Sequence, residues 1–144
     1  MQRTVASLLE AKGADVYSIG PGASVHAALE IMAQRKVGAL VVTDEGAMVG
    51  IISERDFARE MLTAEGGPRD MLVSDIMTTD VHTVTPESTV GDCMGMMTDK
   101  RIRHLPVLDE AARLIGVISI GDVVRAVITD QENLIEDLER YITG

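Results

Sequence analysis

Aromatic side chains are almost missing from this sequence: two tyrosines, one phenylalanine and no tryptophan in 144 residues. The core must therefore be filled by Val, Ile, Leu, Met and Ala, and stacking of bases on exposed aromatic rings is excluded as a mode of recognition. Cysteine occurs once, at Cys93. That excludes an internal disulfide and fits a reducing compartment. With no histidine or other base close in sequence, Cys93 reads as a small core residue and not as a nucleophile. Basic residues are also in deficit, 13 against 23 acidic, and a net charge of −10 argues against nucleic acid as the partner. A local basic cluster can still hold a small anion. No apolar run approaches the 18 or so residues of a membrane span. The opening Met1-Gln2-Arg3-Thr4-Val5 lacks the apolar core of a secretory leader, so a cytoplasmic protein is expected.

What the chain does have is a duplication. Hydrophobic content of 46% suffices for one compact domain or for two small lobes sharing a core. The segment Gly50-Ile51-Ile52-Ser53-Glu54-Arg55-Asp56 returns as Gly116-Val117-Ile118-Ser119-Ile120-Gly121-Asp122. Upstream, Val16-Tyr17-Ser18-Ile19-Gly20-Pro21 matches Val81-His82-Thr83-Val84-Thr85-Pro86, and Val37 to Val42 matches Ile102 to Val107. Each copy reads as a short extended start, a helix, two strands and a second helix. Val25, Ala28, Leu29 and Met32 fall on one helical face, and Val90, Cys93, Met94 and Met97 repeat that spacing. Asp44-Glu45-Gly46 marks a hairpin turn, and Asp109 to Ala112 is its counterpart. Unalternating apolar runs predict strands covered on both faces. Gly66-Gly67-Pro68 cannot continue a helix, which places a linker at residues 63–70. The expected divisions are residues 1–66, 67–129 and an amphipathic helix at 130–144 that packs on the body or on a partner subunit.

The duplicated segment admits two readings. Ser53 and Ser119 fit helix N-caps, with Asp56 and Asp122 at the third helical position completing capping boxes. A hydroxyl and a carboxylate at a helix start can equally hold the vicinal hydroxyls of a ribose, while the N–H groups there attract phosphate. His26 and His82 lack a second ligand at metal spacing, so no metal site is expected.

These residues resemble a tandem pair of CBS domains, the modules first described in cystathionine β-synthase. The resemblance runs from about Val5 to Ile128. It rests on the two Gly-apolar-apolar-Ser-x-x-Asp segments, Asp75-Ile76-Met77, Thr83-Val84-Thr85-Pro86 and Arg103-His104-Leu105-Pro106-Val107. It looks closest to small stand-alone bacterial pairs. The implied fold is α+β: two βαββα repeats related by a pseudo-twofold axis, with two clefts between them. The implied function is non-catalytic and regulatory, the binding of AMP, ADP, ATP, NAD(H) or S-adenosylmethionine in those clefts as an energy or metabolite sensor. A flat homodimer of two pairs, and a regulated protein partner, are part of the same implication. The alternative is a ligand-free module for protein interaction.

By this resemblance Ser119 and Asp122 grip the ribose in one cleft, and Ser53 and Asp56 in the other. Arg103 and His104 match the positions that reach phosphate. Lys12 is a second phosphate contact from the other copy, Gly38 leaves room, and Val16 and Ser18 face the Asp122 cleft. Thr78, Val81 and Thr83 face the Asp56 cleft. Ile52 and Ile118 read as core residues that can also touch a base. The first copy has Gly38 and Ala39 where the second has Arg103 and His104, so the two sites are expected to be unequal, with the Asp122 site the stronger.

Overall fold

In a computed structural model the chain forms two compact units, one of residues 1–14 and 83–144, the other of residues 15–82. The structure describes residues 3–62, 67 and 69–143. The expected boundary at 66/67 and most of the expected linker lie outside the described residues.

The 15–82 unit holds β1 (Ser18–Ile19), α2 (Val25–Arg35), β2 (Ala39–Asp44), β3 (Ala47–Ser53), α3 (Glu54–Met61) and α4 (Val73–Ile76). The other holds α1 (Val5–Lys12), α5 (Val90–Lys100), β4 (His104–Leu108), β5 (Leu114–Ser119) and α6 (Ile120–Thr143). In the first, β1 pairs parallel with β2 and β2 antiparallel with β3. In the second, β4 and β5 are antiparallel, and the counterpart of β1 shrinks to a single parallel bridge from Val84 to Val107. The β2–β3 turn places both Glu45 and Gly46 at positive φ, the conformation that matches the twist of a tight hairpin.

The repeat is visible in backbone detail. Ser24 and Thr89 cap α2 and α5 by accepting from the N–H groups of Ala27 and Asp92. Both helices end on a non-glycine residue in the left-handed region, Lys36 at φ 56° and Arg101 at φ 55°. The residues that follow, Val37 and Ile102, donate back to the carbonyls of Met32 and Met97.

Each unit has its own core. Val25, Ala28, Met32, Leu40, Val42, Ile52 and Val73 are buried together in one. Val5, Leu8, Cys93, Met97, Leu105, Val107, Ile118 and Val123 are buried together in the other. Cys93 is a core residue as expected, and its thiol is pushed up by burial and by the neighbouring Asp92 charge. The thiolate needed for nucleophilic chemistry is thereby disfavoured.

The compact units cut across the sequence repeats. The segment that leads each repeat packs on the helix of the other repeat. Val5 donates to the carbonyl of Ser88 and Val90 to that of Arg3, at 2.8 Å each. Equivalently, Val73 donates to Ala23 at 2.8 Å and Val25 to Met71 at 2.9 Å. The two glycines that open the duplicated motif make this approach possible. A Cβ on Gly116 would lie 2.6 Å from Leu9 Cδ2, and one on Gly50 would lie 2.8 Å from both Met77 Sδ and the Thr78 carbonyl oxygen.

One expectation needs correction. The helix placed at 130–144 is not a separate element: α6 runs unbroken from Ile120 to Thr143. Between Asp122 and Thr143 there is neither proline nor glycine to end it. Its later apolar residues are not packed on the body, since Leu134, Leu138, Tyr141 and Ile142 are all more than half exposed. Among the described residues no helix is long and apolar enough to cross a membrane.

Candidate functional site

Both duplicated motifs form the reciprocal caps that their spacing predicts. The Ser53 hydroxyl accepts from the Asp56 N–H at 3.2 Å while Asp56 Oδ2 accepts from the Ser53 N–H at 2.9 Å. At the other copy the Ser119 hydroxyl accepts from the Asp122 N–H at 3.2 Å, and Asp122 Oδ2 accepts from the Ser119 N–H at 2.8 Å. A strand thus runs straight into a helix, and the carboxylate is held at the junction.

What surrounds the two carboxylates differs. Asp122 is only 6% exposed, the one charged side chain among the buried residues described. Lys12 Nζ donates to its Oδ2 at 2.6 Å and to the Val117 carbonyl at 2.8 Å. Arg125 Nη2 donates to its Oδ1 at 2.7 Å. A carboxylate offers about four acceptor positions, and these contacts fill three. Burial alone would raise the Asp122 pKa; hydrogen bonds from Lys12 and Ser119, with the charge of Lys12, outweigh it and hold the carboxyl below the usual range. A carboxyl depressed on folding adds stability above its unfolded pKa and gives it up as the pH falls through the folded value. Thermal melts should therefore show an acid-side loss of stability in the native chain that is shallower in Asp122→Asn; parallel acid limbs would contradict this.

Asp56 is half-buried and, among the described residues, has neutral partners: Ser53 Oγ at 3.1 Å and Thr78 Oγ1 at 3.4 Å, besides the Ser53 N–H. Neutral donors are weaker than charged ones.

The expected contacts around Asp122 are partly assembled within one unit. Lys12, Arg103, His104, Ile118, Ser119 and Asp122 all belong to it, as does Thr83, which was expected at the Asp56 cleft. His104 stands directly opposite Ser119 in the β4–β5 register. The Arg103 carbonyl accepts from the Ile120 N–H at 2.8 Å, which ties the exposed Arg103 to the start of α6. Lys12 reaches this site, but its observed partner is the carboxylate. Ile118 is fully buried opposite Leu105, in the core of this unit, which fits the core part of its expected role.

Val16, Gly38, Ser53, Asp56, Thr78 and Val81 belong to the other unit. Thr78 does meet Asp56, and its N–H donates to the Ile51 carbonyl at 2.8 Å. Gly38 and Ala39 occupy the places of Arg103 and His104: the Gly38 carbonyl accepts from Glu54 N–H and Ala39 pairs with Ser53. This unit has no cation at either place. Val16 and Val81 are half-buried in irregular segments.

Sequence reasoning missed Arg125 and Arg3. Both line a cavity of about 240 Å³ with Lys12, Asp122, Thr129 and the apolar Leu8, Ala11 and Ala126. Arg3 also pairs with Asp130 at 3.3 Å. The repeat itself signalled Arg125, because Arg59 stands at the same place three residues after Asp56. In a chain of net charge −10, Lys12, Arg125 and Arg3 against Asp122 and Asp130 leave a local excess of positive charge.

The CBS-domain family model matches residues 11–63 and again 73–129. The chain belongs to the CBS-domain family. It is a tandem CBS pair with an α+β fold. A putative signal-transduction protein with CBS domains from Burkholderia ambifaria superimposes with a TM-score of 0.85 at 44% identity, over 89% of this chain and 96% of that one. The mitochondrial CBS domain-containing protein CBSX3 of Arabidopsis thaliana is 44% identical over 126 residues, 84% of this chain. The chain spans 61% of the length of that relative. The CBS pair of protein MJ0100, solved in complex with 5-methylthioadenosine and S-adenosyl-L-methionine, shares the fold, with a TM-score of 0.79 at 23% identity over 90% of this chain and 99% of that one.

Proposed function

We propose that this CBS pair is a non-catalytic regulatory module that binds an adenine nucleotide, among AMP, ADP, ATP, NAD(H) and S-adenosylmethionine. In this reading Asp122 and Ser119 hold the ribose, while Arg103, His104 and Lys12 serve the phosphate, and Val16 and Gly38 serve the base side. Ser53, Asp56, Thr78, Val81 and Thr83 make a weaker second site. The module works as a homodimer and passes the bound state to a partner protein. Regulation of this kind requires that the ligand favour one conformation over another.

The supporting observation is Asp122, an ionised, buried carboxylate at a strand-to-helix junction and ringed by cations. Three of its acceptor positions are already filled, so a second ribose hydroxyl can be gripped only if Lys12 or Arg125 lets go. Lys12 is then free to meet phosphate. The ligand-bearing CBS pair of MJ0100 supports the adenosyl class of ligand.

The same filled positions favour a second reading, a ligand-free interaction module in which Asp122 only ties α1 to α6. Isothermal titration with adenosine, AMP, ATP, NADH and S-adenosylmethionine separates the two. Arg103→Ala should weaken AMP by about tenfold, the worth of one charged hydrogen bond, and leave adenosine unchanged. Absence of heat with every ligand would favour the second reading, and equal losses for AMP and adenosine would remove Arg103 from the phosphate.

A further inference from the structure

The outer face of α6 carries a row of apolar side chains that are each about half exposed or more. Val124 and Ile128 are each 49% exposed, Ile135 55%, Leu138 53% and Ile142 80%. With Gln131 they recur at alternating spacings of four and three, the heptad rhythm of a two-helix seam. In that frame Ile128, Ile135 and Ile142 take one core position, and Val124, Gln131 and Leu138 the other. One flank of the seam is apolar, the exposed Leu134 and Tyr141 with Val127, which is partly buried on the core of its own unit; the opposite flank is charged, Arg125, Glu132 and Glu139.

We infer that α6 pairs antiparallel with α6 of a second copy of this chain, across a twofold axis near residue 133. An isologous pair must match its own surface reversed, and this helix does so in one register. Ile135 then meets Gln131 of the second copy, Ile128 meets Leu138, and Ile142 meets Val124. On the apolar flank Leu134 meets its own symmetry mate and Val127 meets Tyr141. On the charged flank Arg125 meets Glu139, and by symmetry this pair occurs twice. Only Glu132 meets itself, a like-charge contact on the exposed edge. A parallel pairing sets charged flank against apolar flank instead, with Glu139 of one copy facing Leu134 of the other. The seam from Val124 to Ile142 is about 27 Å long at the rise of an α-helix. Glu136, Asp137 and Glu139 surround its outer half, which disfavours an anionic lipid surface as the occupant. Arg125 is the residue that also holds Asp122, so pairing draws on a side chain of the candidate nucleotide site.

This deepens the homodimer part of the proposed function and does not depend on nucleotide binding. Sedimentation velocity on the full chain tests it. The native chain should dimerise, and Ile135→Asp should be a folded monomer at the same concentration, with an unchanged circular dichroism melt in the body. Glu139→Arg should weaken the dimer by about tenfold, for two exposed ion pairs reversed, and Arg125→Glu together with Glu139→Arg should restore it. A native chain that stays monomeric, or that goes instead onto lipid vesicles, overturns the inference. A dimer indifferent to Ile135→Asp overturns it while leaving the homodimer itself standing on another face. Failure of the double reversal to restore what Glu139→Arg loses overturns the antiparallel register.

Discussion

Gly50→Ala is expected to lower the unfolding free energy by about 3 kcal/mol, the upper end for overpacking a close-fitted site, and Gly116→Ala by only about 1 kcal/mol. The two glycines are equivalent in the duplication and carry no positive φ, so conformational freedom does not distinguish them. Their neighbours do. An added methyl at Gly116 meets Leu9 Cδ2 at 2.6 Å, the far end of a side chain that can change rotamer. At Gly50 it meets the Thr78 carbonyl at 2.8 Å as well as Met77 Sδ. That carbonyl accepts from the Ile51 N–H at 2.9 Å, while the Thr78 N–H returns to the Ile51 carbonyl, so the backbone cannot give without losing both bonds. For a chain of this length the difference of about 2 kcal/mol between the variants corresponds to roughly 4–8 °C in melting temperature. Equal melting temperatures would show that the α4 segment is no more rigid than the side chain of Leu9.

Asp122→Ala is expected to weaken adenosine and AMP alike by about a hundredfold, since a carboxylate taking two hydroxyls contributes roughly 1.5–3 kcal/mol per charged bond beyond what water replaces. The structure adds a cost in stability that the capping motif alone does not suggest. Removing the carboxylate deprives Lys12 and Arg125 of their shared partner and unties α1 from the start of α6. Lys12 and Arg125 remain reachable by water, at 35% and 73% exposed, which limits that cost to about 2 kcal/mol, near that of a lost cap and one charged bond. Titration calorimetry and a urea melt of the same sample read both quantities. Undiminished adenosine affinity in a folded Asp122→Ala chain would remove this residue from the site. Asp56→Ala, which loses neutral partners, should cost less on both scales.

Most of the local structure was legible because it is written in local chemistry. Caps at Ser53 and Ser119, the turn at Glu45-Gly46, and the helical face of Val25, Ala28 and Met32 each depend on residues within one or two turns of each other. The exchange of leading segments was not legible in that way. Val5 and Val73 make equivalent hydrogen bonds, to Ser88 and Ala23, yet the aligned repeats do not say which copy each packs on. That choice rests on tertiary contacts, Leu9 over Gly116 and Met77 over Gly50, which no local pattern announces. The partnership of Lys12 with Asp122 follows from the same exchange, although a contact from Lys12 into the Asp122 site was anticipated from the resemblance. Arg125 was missed although its spacing from Asp122 puts it on the same helical face, one turn on. The unbroken course of α6 was also readable: no helix breaker stands between Asp122 and Thr143, and the division at residue 130 had only a change of polarity behind it.

The exchange of leading segments decides where this chain can be recombined with a relative. Crossovers at the 63–70 stretch, the natural choice from the repeats, would part Val25 from Met71 and Val90 from Arg3, grafting each hydrophobic interior onto foreign backbone. Crossovers at Ala14–Asp15 and His82–Thr83 sever neither interior. A chimaera that borrows residues 15–82 as one cassette inherits a whole core, with Asp56 and Thr78 in place, and leaves Lys12, Asp122 and Arg125 together in the host.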